Sequence, residues 1–410
     1  MILNRDRAEK IMVRESLDAL IATTPENVTY ISDYFNFSPY IFKEMEIYGI
    51  LPCNRTEEPT LIVPIDALDY LAQRLSWIKD IRSYGTYYIF GSKLENMTPY
   101  EQSLYHMRRN LPHYPSALEG LISTLQEKKL SDKRIGLDEW SVPPSMIQTI
   151  QMKLPKINFI PSFQLFRQIR VVKTDNQIEY IQKAAEIMEA GIECGFLAVQ
   201  NGGTELDFAR ALRMELARQG AIPGLGGSDL SGGTRSAACI PPTDYWYNSG
   251  DLLRIDVGCR YDWHYSDTGR TAVFGKPTDK QKRKFDAIFA GYQTAMNLVK
   301  PGAATFEIYD AAIAAVRKSG LNEYRRHFIG HGIGLEMYEM PLIGPKNSSI
   351  ETHKIGESNW ILEPNMVINI EVPYYELGFG GLQIEDTLVV TEKGYEYLTK
   401  APRELRIINY

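Results

Sequence analysis

The sequence is poor in cysteine and histidine. Four cysteines occur in 410 residues, with no CxxC spacing, which is too sparse for a disulfide framework. They are Cys53, Cys194, Cys239 and Cys259. We therefore expect buried thiols and a reducing, cytoplasmic location. The six histidines leave few candidates for any site that depends on imidazole.

The chain also lacks long apolar runs and an excess of basic residues. Its N-terminal stretch carries a charge every few positions, so we expect no secretory signal. The most apolar helical window, 187–199, is interrupted by Glu189 and Glu193 and is too short for a membrane span. Lys and Arg number 45 against 51 Asp and Glu, and no basic run is long enough to neutralise a row of phosphates. We expect neither a membrane nor a nucleic acid as a partner.

What the chain does contain is enough apolar sequence for a large core, since 44% of its residues are hydrophobic. The length is typical of two domains. Strand-like runs alternate with helical patterns, which predicts an α/β (α+β) fold. The composition changes near residue 170, so we expect a smaller N-terminal domain at 1–168 and a larger domain at 172–410.

The N-terminal domain opens with a predicted helix at 5–16 and a strand at 17–22. Turn residues follow at 25–27, before an apolar run at 28–31. Residues 84–115 combine six tyrosines with several prolines and glycines, and we expect a long irregular excursion there.

The second domain opens with a capping box, in which Thr174 and Gln177 begin a helix that continues to about Val199. Three more helices are predicted, at 204–220, 278–300 and 305–319. No period of about 20 to 50 residues recurs, which excludes repeat architectures.

Two aspartates lie on a predicted hairpin between these helices. The strand at 252–258 alternates, with three apolar side chains on one side and Arg254 and Asp256 on the other. A second strand at 265–274 places Asp267 eleven residues after Asp256. This separation suits a hairpin that brings the two carboxylates side by side.

Two apolar strands further along the chain each contain a glutamate, Glu371 and Glu385. Buried carboxylates are costly unless a positive group compensates them. We expect no lysine or arginine close to this strand pair, since Gln383 precedes Glu385 on its face, so a divalent cation is the better account. The strand period directs Glu385 and Asp386 to opposite faces, and Glu385 shares its face with polar Thr387.

His331 lies between the two strand pairs, flanked by glycines in the string GHGIG. Glycine permits close backbone approach beside the imidazole. Four carboxylates and one imidazole form an oxygen-rich, hard ligand set. Such a set suits two divalent ions of the Mn, Co, Fe or Zn kind that share a water molecule, which becomes a hydroxide nucleophile near neutral pH.

These residues carry a specific resemblance. The chain contains the strings RIDVGCRYDWHYSDTGRT, GHGIGLEMYEMP, NIEVPYYELGFGG and LQIEDTLVVTEKG. They resemble the signatures of the peptidase M24 or "pita-bread" superfamily, which includes methionine aminopeptidase, aminopeptidase P, prolidase and creatinase. The match covers about 172–400, and the first thirty residues are similar to the N-terminal domain of creatinase and prolidase. The resemblance implies a pita-bread catalytic domain preceded by a creatinase-type domain.

The resemblance also implies a role for each residue. Asp256 would be the terminal ligand of one metal ion, and Asp267 and Glu385 would bridge both ions. His331 and Glu371 would hold the second ion. In the family's chemistry, a metal-bound hydroxide attacks the scissile carbonyl, and Glu371 passes the water's proton to the leaving nitrogen.

The sequence departs from the family around the substrate. No histidine occurs between residues 172 and 263, where the peptidases carry one that lines the pocket. Tyr338 replaces the family's histidine seven residues after the metal-binding one; it can donate a hydrogen bond to an oxyanion but shuttles protons poorly. His327 matches a histidine of the prolidase active site. Arg235, in a Gly/Pro-rich loop at 229–247, is a candidate clamp for a substrate carboxylate.

Three hypotheses for function follow. The first is a dinuclear metal-dependent hydrolase that resembles Xaa-Pro dipeptidase and aminopeptidase P and acts on short peptides. The second keeps the metal site but uses it as a hydrolase or lyase on a small non-peptide molecule, because pocket histidines are missing. The third is a non-catalytic binding module, against which the intact ligand set argues. The resemblance implies a homodimer, with a candidate lid at 34–40, and a polar stretch at 345–359 is expected to shape access.

Overall fold

The computed structural model describes residues 1–35, 41–42, 45–91, 93–346 and 359–409, with the backbone alone at 225–228. By its internal contacts the chain divides into two units, Met1–Arg170 and Val171–Tyr410. The lid expected at 34–40 and the loop expected at 345–359 fall mainly on residues outside the described ranges.

The first unit is built on a mixed sheet. Its strands are β1 (Ala19–Ala22), β2 (Tyr48–Pro52), β3 (Thr60–Pro64), β4 (Asp80–Tyr84), β5 (His113–Tyr114), β6 (Arg134–Leu137) and β7 (Asn158–Pro161). Their order in the sheet is β5-β4-β3-β2-β1-β6-β7. Strand β1 is antiparallel to β2 and parallel to β6, and all four of its residues are buried, as its continuous apolar run predicts.

Helices of the first unit flank this sheet. They are α1 (Arg5–Arg14), α2 (Pro25–Ser32), α3 (Leu68–Gln73), α4 (Pro99–Asn110), α5 (Ala117–Glu127), α6 (Pro144–Lys153) and α7 (Phe163–Arg170). Side chains of α5 and α6 join those of β1, β2, β3 and β6 in one apolar core.

Two local expectations for this unit were wrong. Residues 25–27 begin helix α2 rather than a turn, because proline at the first helical position lacks only an N–H that would be unpaired anyway. The buried carboxylate of Asp138 accepts hydrogen bonds from the Thr24 backbone and the Asn27 side chain, which holds this helix start in place. The excursion at 84–115 contains helix α4, which begins with a complete capping box between Thr98 and Glu101.

The second unit combines four long helices with a larger sheet. The helices are α8 (Asp175–Val199), α9 (Glu205–Arg218), α10 (Asp279–Leu298) and α11 (Thr305–Lys318). The strands are β8 (Ile222–Gly232), β9 (Leu252–Tyr261), β10 (His264–Tyr265), β11 (Thr268–Phe274), β12 (Gly330–Gly332), β13 (Glu339–Leu342), β14 (Val367–Glu371), β15 (Tyr374–Glu376), β16 (Gly380–Leu382), β17 (Glu385–Val390), β18 (Tyr395–Tyr397) and β19 (Arg406–Ile408). Among the described residues, no helix is long and apolar enough to cross a bilayer.

The main sheet of this unit has the order β10-β9-β11-β17-β14-β12-β13, with β8 also paired to β9. Helices α8 and α9 share an apolar core with Leu253, Ile255 and Val257 of β9. Helices α10 and α11 share a second core with Ile368 and Ile370 of β14. Both helix pairs therefore cover the same face of the sheet, and the alternate residues of β9 and β14 point to the other face.

Candidate metal centre

The acidic residues form one row across four neighbouring strands. In the strand register, Asp256 of β9 lies opposite Gly269 of β11, Gly269 lies opposite Glu385 of β17, and Glu385 lies opposite Glu371 of β14. Residues that face each other across neighbouring strands point to the same side of a sheet. The carboxylates of Asp256, Glu385 and Glu371 therefore gather on the face opposite the helices.

Gly269 makes room for this row. A Cβ atom at this position would lie 2.8 Å from Oε2 of Glu385 and 2.5 Å from Cγ of Gln383, which is closer than real Cβ contacts. The missing side chain lets Glu385 lie over β11, between Asp256 and Glu371.

A second row brings in the imidazole. His331 of β12 lies opposite Asn369 of β14, which lies opposite Thr387 of β17. The Thr387 hydroxyl lies 3.0 Å from the backbone carbonyl of Asp267 and 2.6 Å from Oδ1 of Asn369, so its single proton is shared between these two acceptors. Asn369 Nδ2 in turn donates to Oε1 of Glu385, at 2.9 Å. These bonds connect Asp267 and Glu385 through two polar side chains, and the strand register places His331 next to one of them, Asn369.

The glycines around His331 permit a close approach of three strands. A Cβ atom on Gly330 would collide with the carbonyl of Asn369, and one on Gly332 would collide with the carbonyl of Met340. This close approach is the physical reason for the glycines on both sides of His331.

Asp267, His331 and Glu385 form the tightest group. Each offers one ligand atom that lies within 4.8 Å of the others, and all three residues are buried. His331 Nε2 lies 3.8 Å from Oδ2 of Asp267, while Nδ1 lies 2.9 Å from the carbonyl of Gly332. A hydrogen bond from Nδ1–H to that carbonyl leaves the Nε2 lone pair directed at the carboxylates, which is the tautomer that a metal ligand requires.

The electrostatics of this group call for a cation. Burial raises the pKa of Asp267 well above its usual range, and the neighbouring carboxylates of Asp256 and Glu371 raise it further. Burial and the same kind of repulsion raise the pKa of Glu385. Oδ1 of Asp267 is buried without a hydrogen-bond partner among the described residues. An oxygen-rich, dehydrated and like-charged group of this kind fits divalent metal ions.

The expectation that no arginine lies near the second strand pair was wrong. Nη2 of Arg326 lies 3.8 Å from Oε2 of Glu371, and Nη1 of Arg254 lies 3.3 Å from Oδ2 of Asp256. Burial raises the pKa of Glu371 to about 7 and Asp256 adds to the shift, while Arg326 opposes it. Both arginines approach the edges of the row, but the carboxylates of Asp267 and Glu385 at its centre have no arginine partner in the described ranges.

Contact with Arg254 gives Gln383 a role in the site. Nη1 of Arg254 donates to Oε1 of Gln383, at 3.1 Å, and Nε2 of Gln383 donates to Oε2 of Glu385, at 2.9 Å. The amide therefore connects the guanidinium to Glu385. The strand period already placed Arg254 beside Asp256, so the sequence contained a signal for it; Arg326 lies outside the strands and had none.

Arg235 has partners on neighbouring segments of the second unit. Its guanidinium contacts the buried carboxylate of Glu205, at 3.3 Å, and the Thr243 hydroxyl, at 3.1 Å. Glu205 also accepts from the backbone N–H groups of Gly232 and Thr243. The buried carboxylate needs this counter-charge, which is why the arginine folds back on its own loop. The role of Arg235 as a carboxylate clamp stays a prediction.

The remaining two candidates lie on the segments around His331. The ring of Tyr338 packs 4.2 Å from that of His331, and Tyr338 is 36% exposed. Burial raises the pKa of its hydroxyl, and Asp267 and Glu371 raise it further, so the hydroxyl stays protonated. His327 is exposed, four residues before His331, and keeps its predicted role as a proposal.

Asp386, next to Glu385, points to the opposite face. It accepts from Arg270 Nη2 at 2.7 Å, from Arg403 Nε at 2.9 Å and from the Tyr292 hydroxyl at 2.6 Å. Tyr292 belongs to helix α10, so Asp386 faces the helices. This is the orientation that the strand period predicts.

Comparison with known proteins gives a consistent result for both units. The model of metallopeptidase family M24 matches residues 179–392, and the model of the creatinase/prolidase N-terminal domain matches residues 5–172. An Xaa-Pro dipeptidase of Pyrococcus horikoshii is 28% identical over 99% of this chain and 100% of its own length. An Xaa-Pro dipeptidase of Pyrococcus furiosus is 30% identical over 65% of this chain and 74% of its own.

Solved structures agree. The crystal structure of the prolidase from Pyrococcus horikoshii matches with a TM-score of 0.74 at 26% identity, over 98% of this chain and 99% of that one. The predicted α/β fold, with a pita-bread catalytic domain and a creatinase-type N-terminal domain, is confirmed. The chain therefore belongs to metallopeptidase family M24 and is a metal-dependent hydrolase.

Proposed function

We propose that this chain is a dinuclear metallopeptidase that cleaves the bond before proline in short peptides, as Xaa-Pro dipeptidases do. The carboxylate row with His331 is the observation that carries the proposal, because it sets like charges together at a buried point. The similarity to relatives named Xaa-Pro dipeptidase supports the choice of substrate.

The resemblance to family M24 implies the ligand roles, and the places of the residues in the two rows are consistent with them. Asp256 would hold one ion, His331 and Glu371 would hold the other, and Asp267 and Glu385 would lie between them. Divalent ions of the Mn, Co, Fe or Zn kind, when bound here, lower the pKa of water and polarise a carbonyl oxygen.

Side chains of the protein carry out the other steps. Glu371, at the end of the row, accepts a proton and returns it to the leaving nitrogen. Tyr338 beside His331 stays protonated and donates a hydrogen bond to the developing oxyanion. His327, exposed on the same segment as His331, contacts the substrate. Arg254 and Gln383 hold Asp256 and Glu385 in place.

A second candidate keeps this metal site and changes the substrate to a small non-peptide molecule. The absence of histidine from residues 172–263 favours it, since no imidazole from this stretch is available to line the pocket. In this case the metal ions bind normally and peptides are not cleaved.

One experiment separates the two candidates. Purified protein is loaded with Mn²⁺, its metal content is measured, and release of proline is followed from Xaa-Pro dipeptides and Xaa-Pro-Xaa tripeptides. We expect close to two ions per chain and cleavage before proline. Glu371→Gln should remove activity, while Glu376→Gln, on a more exposed carboxylate paired with Lys280, should not.

The outcomes have distinct meanings. Bound metal with no cleavage of any peptide would favour the non-peptide substrate. Protein that binds no metal would leave only a binding module. A homodimer is part of the proposal, and light scattering coupled to gel filtration would show a mass of about twice 46.7 kDa.

A further inference from the structure

The bend that carries Tyr338 is short and belongs to no helix or strand. It comprises residues 334–338, between the end of β12 at Gly332 and the start of β13 at Glu339. The proposed function needs the Tyr338 hydroxyl at a defined point, because a donor stabilises an oxyanion at about 2.7–3.1 Å. A bend without secondary structure needs contacts with its surroundings to hold a side chain that accurately.

The carboxylate of Glu339 lies against this bend. Its Oε1 accepts a hydrogen bond from the backbone N–H of Glu336, at 3.2 Å. A Cβ atom on Gly334 would lie 2.8 Å from Oε2 of Glu339, so glycine at this position makes room for the carboxylate. Glu339 therefore fixes the path of the backbone at 334–338, and Tyr338 is the residue directly before it.

Lys173 provides the positive charge that this carboxylate needs. Its Nζ donates to Oε2 of Glu339 at 2.6 Å, and the exposed fractions of the two side chains are 0% and 2%. The backbone N–H of Lys173 donates to the carbonyl of Asn365, at 2.8 Å. Asn365 lies two residues before β14, so the ion pair connects the bend to the sheet that carries the candidate metal centre.

A buried ion pair of this kind contributes direction more than stability. Its replacement by apolar side chains of similar volume is often neutral for stability, because removing two charges from water costs about as much as their attraction returns. Apolar side chains cannot supply the short hydrogen bond that orients the carboxylate of Glu339. The pair is therefore suited to hold the bend in one conformation.

The conformation of the bend decides where the Tyr338 hydroxyl lies. The Tyr338 ring packs 4.2 Å from the ring of His331 and 6.2 Å from that of Phe328, and its backbone is held by the neighbouring Glu339. A backbone shift of about 1 Å would move the hydroxyl out of hydrogen-bond range of the oxyanion. A misplacement of this size costs about 100-fold in rate.

From these contacts we propose that Lys173 is a positioning residue for the reaction, which holds the 334–338 bend through Glu339 so that the Tyr338 hydroxyl reaches the developing oxyanion. The inference rests on the proposed function, in which Tyr338 donates that hydrogen bond. Because Lys173 acts through Glu339 and Tyr338, its removal weakens the transition state and leaves metal uptake and substrate binding in place.

A double-mutant cycle with Mn²⁺-loaded protein and an Xaa-Pro dipeptide tests this coupling. We expect Lys173→Met and Tyr338→Phe each to lower kcat about 100-fold, with KM and metal content nearly unchanged. The variant with both changes should be no slower than Tyr338→Phe alone, because Lys173 then has no hydroxyl left to position. Lys183→Met, at an exposed position of α8, is the matched control. Losses that multiply to about 10,000-fold would overturn the inference.

An apolar variant, Lys173→Met combined with Glu339→Met, separates position from stability. Lys173→Met alone leaves the buried charge of Glu339 unpaired and should lower the melting temperature, whereas the apolar variant should recover most of it. We expect kcat of the apolar variant to stay low, because an apolar pair does not orient the bend. If kcat recovered together with the melting temperature, the ion pair would only stabilise the fold and the inference would be wrong. The apolar variant also replaces Lys173→Met in the cycle if the single variant does not fold.

Crystal structures of the wild type and the apolar variant give a readout that needs no activity. We expect the Tyr338 ring of the variant to lie farther from the His331 ring than 4.2 Å. An unchanged ring position contradicts the inference. If the metal-loaded wild type cleaves no peptide, or Tyr338→Phe keeps full activity, the proposed function fails at that point. The crystal structures alone then decide whether Lys173 positions Tyr338.

Discussion

Two neighbouring carboxylates on strand β17 lie on opposite faces of the same sheet and have opposite surroundings. Asp386 faces the helices and is surrounded by Arg270, Arg403 and Tyr292. The carboxylate of Glu385 faces the other way, and its hydrogen-bond donors among the described residues are two side-chain amides, those of Asn369 and Gln383.

Both side chains are buried, so the two residues differ in their partners and not in their burial. A buried acid that is matched by arginines stabilises the fold, whereas a buried acid among other acids needs something that the chain does not provide. The difference teaches that the charge around a buried carboxylate, rather than its burial, distinguishes a functional acid from a structural one.

The largest expected effect is at Glu385, the acid of β17 whose carboxylate has no counter-charge. Glu385→Gln should lower affinity for divalent metal by at least about 1000-fold, since a ligand matters more than the outer contacts that cost 10- to 100-fold. The metal-free variant should melt no lower than the wild type, because the substitution removes repulsion. Calorimetry and thermal melting measure the two effects, and an unchanged metal stoichiometry would contradict the assignment.

The next largest effect is at Asp386, the acid of β17 whose carboxylate is paired with two arginines. Asp386→Asn should lower the free energy of unfolding by about 3–5 kcal/mol, because Arg270 and Arg403 lose the charge that compensates their burial. Folded protein should still bind metal with the native stoichiometry. Urea denaturation measures the stability, and Asp286→Asn, on the exposed side of α10, is the matched control. If Asp386→Asn lost metal binding but kept its stability, the distinction between a structural Asp386 and a functional Glu385 would be contradicted.

The smallest effect concerns a buried group that stays neutral. His264 is buried beside the Tyr180 ring, and burial lowers its pKa to about 4. Since the unfolded imidazole keeps a pKa near 6.5, the unfolded state takes up a proton first as the pH falls, and stability decreases below pH 6.5. Between pH 6.5 and 5 the loss should be about 1.6 kcal/mol.

His264→Asn should remove this part of the acid sensitivity. Urea denaturation of wild type and variant at several pH values, under identical metal conditions, isolates the contribution as a difference. Parallel pH profiles for the two proteins would show that His264 does not titrate in this way.

Much of the site could be predicted because it depends on local periodicity. Alternation along β9 separates Asp256 from its apolar neighbours, and alternation along β17 separates Glu385 from Asp386. Both patterns act over two or three residues, so they are visible in the sequence before the strands are paired.

The rest depends on which distant segments meet. The contact of Arg254 with Gln383 needs the pairing of β9, β11 and β17, and the contact of Arg326 with Glu371 needs the path of an irregular segment. The contact of Arg235 with Glu205 is of the same kind, because Glu205 lies in a helix thirty residues earlier in the chain. Neither alternation nor spacing reports such contacts.

The row of acids also has a consequence for how the protein assembles. Its members come from both halves of the second unit, and the halves meet where Gly269 pairs with Glu385. Because that pairing joins segments far apart along the chain, it is a slow kind of contact to form. The half that contains β9 and β11 holds two of the acids, and the half that contains β14 and β17 holds the other two. Metal uptake during refolding should therefore follow the joining of the halves, and its rate should report when they join.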